Sequence, residues 1–171
     1  FSIAAPTEIN EIEKINFEKN DLMNVNTVKG FAMLLRKSDF KNFFDENIFL
    51  YLEEIDLCLN AKKNKNKIYL VNVPIVHIGA ASHGNKEDFE MEKSRNWHWM
   101  WSTFYFNRKH YGYVYSFLIT FPKFISSFLK FILYKITNNH NKKFYYKMRF
   151  LGLLNSYLLK KSTYRPYVNK N

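Results

Sequence analysis

The sequence predicts an α/β portion over residues 1–92 followed by an α-helical tail over residues 93–171. Three observations carry that prediction. The first is charge: the net +11 of the chain divides at residue 93. Residues 1–92 hold all 15 acids against 11 bases, a net of −4, whereas residues 93–171 hold 15 bases and no Asp or Glu. A uniform globular surface does not sort its charge this way. The second is aromatic content, with 10 of the 32 Phe, Trp and Tyr before residue 93 and 22 after it. The third is periodicity: β-like runs and a helical pattern alternate in the first part, and a long helical pattern fills residues 113–137 of the second. The 171 residues suffice for a real core. A composition 47% hydrophobic and 24% charged excludes disordered and fibrous classes. Cys58, the one cysteine, excludes an internal disulfide and a Cys-based zinc cluster, and it suits a reducing compartment.

Along the chain, residues 1–6 (FSIAAP) read as a strand interior, so the chain is expected to be the C-terminal part of a longer protein. Residues 8–24, rich in Asn, Glu and Lys, read as a surface loop or hairpin. Residues 25–35 are apolar and β-branched at their start, and Gly30 within them predicts a bend or a close backbone approach. Ser38 and Asp39 offer N-caps for a short helix. Residues 43–46 (FFDE) read as a turn, with Asp45 and Glu46 serving structure. Residues 50–63 turn helical, with lysines at the C-terminal end where the dipole favours them. Residues 67–74 (KIYLVNVP) read as a strand, and residues 79–85 (GAASHGN) as a small-residue loop. A long aromatic helix is expected near residues 93–110.

Within residues 113–137, polar or small groups fall at Ser116, Thr120, Lys123, Ser127, Lys130, Tyr134 and Thr137. Spacings of three and four put them on one narrow stripe of an otherwise apolar helix. The length suits a bilayer span, but Lys123, Lys130, Lys135 and Pro122 fit better a helix in the headgroup plane. A core helix packed on the preceding domain gives the same pattern. The acid-free surroundings favour the anionic membrane surface, which attracts each base.

Three constellations could carry chemistry. Glu53-Glu54-Ile55-Asp56 stands at a helix start, where acids either cap the dipole or act as a general base with its neighbours. His77 ends a strand beside a small-residue loop and could reach a phosphate or a divalent cation; His83, His98, His110 and His140 have no comparable setting. Residues 95–111 (RNWHWMWSTFYFNRKHY) carry tryptophans at alternate positions, which cannot share one helix face and so need enclosure on several sides. Aromatics beside lysines could also stack nucleobases, but that signal is non-specific and no nucleic-acid partner is expected. No Gly-rich phosphate loop, Ser-His-Asp motif or HExxH pair is present.

Taken together, residues 28–34 (VKGFAML), 43–58 (FFDENIFLYLEEIDLC), 67–71 (KIYLV) and 77–82 (HIGAAS) resemble glycosyltransferase family 2, and within it the bacterial rhamnosyltransferase-like members. The C-terminal half of that family reads as a Gly-containing strand, an FDE turn, an E-D-x-D-L helix start, a strand and an H-x-x-G-x-S loop, all of which occur here in order. The resemblance implies a GT-A fold, Rossmann-like and α/β, of which residues 1–92 would be the C-terminal part and residues 93–171 a basic, aromatic, membrane-associating tail. It implies an inverting transfer from a nucleotide-sugar donor, with a divalent cation (Mg or Mn), to a saccharide or lipid-linked acceptor in envelope polysaccharide synthesis. The base of the family falls on Glu54, where this sequence has Glu for Asp. Glu53 and Asp56 would support the helix start or the acceptor site, Gly30 and Phe31 would lie near donor sugar or acceptor, and His77 near the metal or diphosphate. The D-x-D metal motif would precede Phe1, so these residues alone are expected to be inactive. The expected location is cytoplasmic, peripheral on the inner face of the cell membrane. The alternative is a non-catalytic basic module that docks to membrane or polyanion.

Overall fold

The computed structural model describes residues 22–40, 42–73, 75 and 88–167. The expectations for residues 1–6 and 79–85, and for His77, lie outside these. The described elements are β1 (Leu22–Asn24), a 3-10 turn (Lys37–Asp39), α1 (Glu53–Lys63), β2 (Tyr69–Val71), α2 (Asp88–Tyr111), α3 (Tyr113–Ile136) and α4 (His140–Tyr157).

β1 and β2 pair antiparallel, with Leu22 opposite Val71 and Asn24 opposite Tyr69. One further hydrogen bond, from the Val25 amide to the Ile68 carbonyl at 2.9 Å, ends the ladder. Among the described residues of 67–74 the strand is Tyr69–Val71, shorter than the composition predicts, and residues 25–35 form none beyond that bond. The chain turns instead at Gly30 and Phe31. Ser38 and Asp39 do not cap a helix: both lie inside the 3-10 turn, and its N-cap, Arg36, makes no side-chain hydrogen bond.

The bulk of the described chain is three packed helices. Met100 and Phe104 of α2 meet Leu153 of α4 in the core, with Phe117 and Phe124 of α3 and Tyr157 of α4 around them. Gly152 lets α4 approach: a Cβ there would collide with the Trp97 carbonyl. One turn on, the Ser156 hydroxyl donates to the Trp101 carbonyl at 3.1 Å. Small residues four apart, Gly152 and Ser156, bring the two backbones together as they do in close-packed helix pairs. Gly112, at φ 89°, separates α2 from α3. Asn138, left-handed at φ 55°, ends the turn after α3, and the Asn139 side chain accepts from the Lys142 amide to start α4.

The charge boundary at residue 93 falls inside α2, which crosses it unbroken. The tryptophans of α2 are enclosed by protein on different sides. Trp97 stacks on Tyr164, Trp101 donates to the Lys160 carbonyl at 3.0 Å, and Trp99 meets Tyr51 edge-on. Residues 158–167 thus run back along α2 as a strap. His98, wholly buried, binds that strap through both ring nitrogens, to the Tyr164 carbonyl at 2.8 Å and the Ser162 hydroxyl at 3.0 Å. A carbonyl can only accept, so Nε2 carries the proton and Nδ1 accepts from Ser162. Burial pushes His98 below its ordinary value, in keeping with this neutral ring.

Of the polar stripe on α3, Ser116, Thr120 and Ser127 face inward, whereas Lys123, Lys130 and Thr137 are exposed. Ser116, Thr120 and Ser127 are the buried residues of α3; Phe117 and Phe124 pack beside them on the core, and a broad set of its other apolar side chains, Leu118 and Leu129 among them, is exposed. Two of the inward hydroxyls are satisfied locally: Ser116 donates to the Gly112 carbonyl and Thr120 to the Ser116 carbonyl, each at 2.6 Å. Thr120 also hydrogen-bonds the Tyr157 hydroxyl of α4 at 3.0 Å. A soluble core helix buries its apolar face, whereas α3 buries hydroxyls with Phe117 and Phe124 and leaves its broader apolar face exposed.

Candidate active site

Helix α1 starts from a strained turn. Tyr51 and Leu52 both have left-handed backbone, φ 69° and 70°, which side chains other than Gly, Asn and Asp rarely adopt. Such residues cost about 1–3 kcal/mol each and persist only where neighbours over-determine them. Here α2 supplies the constraint. The Ser102 hydroxyl donates to the Leu50 carbonyl at 2.7 Å, the Trp99 ring holds Tyr51, and Leu52 is buried. The turn delivers Glu53 and Glu54 into the first turn of α1, where the helix dipole favours negative charge.

Both carboxyls line an open cleft of about 480 Å³ with Gly30, Phe31, Phe44 and Ile48. The size falls within the range of small-molecule sites, and the apolar and aromatic walls with a few polar groups match their usual lining. Gly30 passes directly against Glu54: a Cβ there would lie 3.4 Å from the Glu54 Cβ. The two carboxyls differ in setting. One Glu53 oxygen, Oε2, is buried without a hydrogen-bond partner. Burial raises the Glu53 pKa; its own amide hydrogen bond opposes this and the neighbouring Glu54 adds to it. Glu54 is the carboxyl against which the chain at Gly30 is laid.

Asp56 does not line this cleft. It is 1% exposed and accepts from Lys109 Nζ at 2.8 Å and Asn60 Nδ2 at 3.2 Å, with His110 Nε2 at 2.7 Å. Lys109 also reaches Asp45 at 2.7 Å, and Asp45 takes further hydrogen bonds from the Tyr105 hydroxyl and from the amide and side chain of Asn47. Burial pushes Asp45 up, but the bonds from Lys109, Asn47 and Tyr105 outweigh it and hold Asp45 at about 2. Burial likewise works against the charge on Lys109, and its two carboxylate partners more than restore it. On His110 burial prevails over the Asp56 bond, helped by the nearby Lys63 charge, and the pKa is lowered.

This network clamps the turn at 45–48, which carries the cleft residue Ile48, and α1 to the C-terminal end of α2. Sequence reasoning missed it, because Lys109 and His110 lie more than 50 residues from Asp56. The signal available was the basic run Arg108-Lys109-His110 in the last turn of α2.

The structure therefore brings Gly30, Phe31, Glu53 and Glu54 together, separates Asp56 from them, and leaves His77 outside the described residues. Among the described residues, no three His, Cys, Asp or Glu side chains converge to hold a metal. What the arrangement can do is take a proton from a hydroxyl seated between the aromatic walls.

The chain is similar to the rhamnosyltransferase WbbL of Escherichia coli (strain K12), 42% identical over 84 residues. The match takes in 47% of this chain and 30% of that protein, a glycosyltransferase-like relationship over a part of each. No family model matches the chain. No solved structure matches it.

Proposed function

We propose that this chain is part of an inverting glycosyltransferase, with Glu54 as the general base. In this reading an acceptor hydroxyl enters the cleft beside Gly30 and Phe31. Glu54 takes its proton as the oxygen attacks the anomeric carbon of a nucleotide-sugar, and the nucleotide leaves from the opposite face. Glu53 holds the turn into α1, and Asp56 fixes α1 on α2. The observation that carries the reading is a pair of adjacent carboxyls, delivered by a strained turn into an aromatic cleft and touched by glycine backbone. The likeness to a rhamnosyltransferase supports sugar transfer as the chemistry. A saccharide or lipid-linked acceptor, a GT-A domain built with residues 1–92, a divalent cation and a location on the cytoplasmic membrane face complete the proposal.

The test is Glu54→Gln in the protein that contains this chain, assayed for sugar transfer from its nucleotide-sugar donor. Loss of a general base predicts a rate lower by roughly 10²–10⁴-fold. Activity within a few-fold of the unaltered protein would remove Glu54 from the role.

A further inference from the structure

We infer that α3 is a docking surface for an anionic lipid bilayer, lying in the plane of the headgroups with its apolar face in the acyl boundary. The inference stands apart from the reaction and rests on how α3 is packed. Its side toward α2 and α4 holds Ser116, Thr120 and Ser127, all buried. Its outer side exposes Val114, Leu118, Ile125, Leu129, Leu133 and Ile136, with Leu118 at 65% and Leu129 at 60%. An apolar face of this extent is far beyond the scattered exposed residues of a water-facing helix.

Charge selects the occupant. None of the bases on α3 and α4 has an ion-pair partner among the described residues; the ion pairs described there use Lys93, Arg95, Lys109 and His110. Lys123 and Lys130, seven residues apart, share the stripe of Ser116, Thr120 and Ser127 but are exposed, so they stand at the border between the α4-facing side and the apolar face, with Lys130 over the Tyr146 ring of α4. That is where a helix lying in the interface places bases that reach lipid phosphates. A second copy of the chain would bring the same bases, over rings but without acid partners among the described residues, against themselves, whereas an anionic bilayer supplies negative charge.

Orientation follows from the same residues. The 24 residues of α3 rise about 36 Å, enough to cross a bilayer core of about 30 Å. Crossing would put Lys123, near the helix midpoint, at the bilayer centre, where charge is most costly. It would also strip α3 from α4, to which the Thr120–Tyr157 bond ties it. Lying in the plane keeps both.

The experiment is co-sedimentation of the full chain with phosphatidylcholine vesicles, with and without phosphatidylglycerol, at low and high salt. Binding is expected only to the anionic vesicles, weakened by salt. Replacing Lys123 and Lys130 together by Gln should weaken it about thirtyfold. Leu118→Ser with Leu129→Ser should weaken it roughly a hundredfold. Because these four side chains are exposed, and the one contact of Lys130 with the Tyr146 ring is a weak surface one, circular dichroism should show an unchanged helical fold. Equal binding to neutral vesicles, or none to either, would overturn the inference. So would bound protein that resists both high salt and alkaline carbonate, the behaviour of a spanning helix. Dimerisation in solution without vesicle binding would give the face to a second copy instead.

Discussion

The residues around the cleft and the α3–α4 pair treat polar groups in opposite ways. Around the cleft, Ile48, Leu52, Leu57, Cys58 and Ala61 are buried, and the buried acid Asp56 finds its bases on α2. In the α3–α4 pair the hydroxyls of α3 go inward beside Phe117, Phe124 and Leu153, a broad apolar face of α3 stays exposed, and the bases have no acid partner among the described residues. The first region is complete against water and protein. The second is complete only against a phase that is apolar within and anionic at its edge. One chain therefore carries two solvents in its design, and α2 is the element that joins them, bonded to α1 at one face and packed on α4 at another.

That contrast can be broken at several points. The largest stability effect is expected at Lys109, which neutralises both Asp45 and Asp56. Lys109→Met strands a buried carboxylate and should cost about 3 kcal/mol in urea unfolding, reduced from the fully buried case by partial exposure of Lys109. Gly152→Ala should cost about 2 kcal/mol, because the added methyl meets the Trp97 carbonyl and the α2–α4 backbones must part. Its signature is a lower Tm.

Asp45→Asn should cost about 1 kcal/mol at neutral pH. Asp45 titrates near 2 when folded against an ordinary 3.8, so its contribution is full above about pH 4 and is lost as pH falls toward 2. An acid-unfolding profile of the variant should be flatter in that window. Leu129→Ser should change stability in aqueous buffer by less than about 0.5 kcal/mol, because Leu129 already faces solvent. A large loss there would mean that the apolar face of α3 is a protein contact, and the contrast between the regions would fail.

Much of the local structure was legible in the sequence. The lysines closing α1, the aromatic run of α2 and the three-four spacing on α3 each express a local rule, either dipole or period. Gly30 pointed to a close approach, and it lies against Glu54. What local rules do not encode is direction. The stripe of Ser116, Thr120 and Ser127 says which residues share a face, not whether that face meets lipid, water or α4. The site shows the same division. The clustering of Glu53 and Glu54 follows from adjacency, whereas the strain at Tyr51 and Leu52 is imposed by Ser102 and Trp99, some 50 residues away. Asp56 illustrates the limit most clearly. In sequence it is one more acid of a helix start, and only its meeting with Lys109 and His110 makes it a buried tie.

The central claim is that the carboxyl of Glu54, and not that of Glu53, carries the proton transfer. The direct measurement is kcat for sugar transfer with Glu54→Gln and Glu53→Gln compared side by side in the protein that contains this chain. The account predicts a loss of roughly 10²–10⁴-fold for Glu54→Gln and a loss within about tenfold for Glu53→Gln, whose Oε2 is buried at the helix start rather than laid against Gly30. The reverse order, or two variants that both keep near-full kcat, would contradict it.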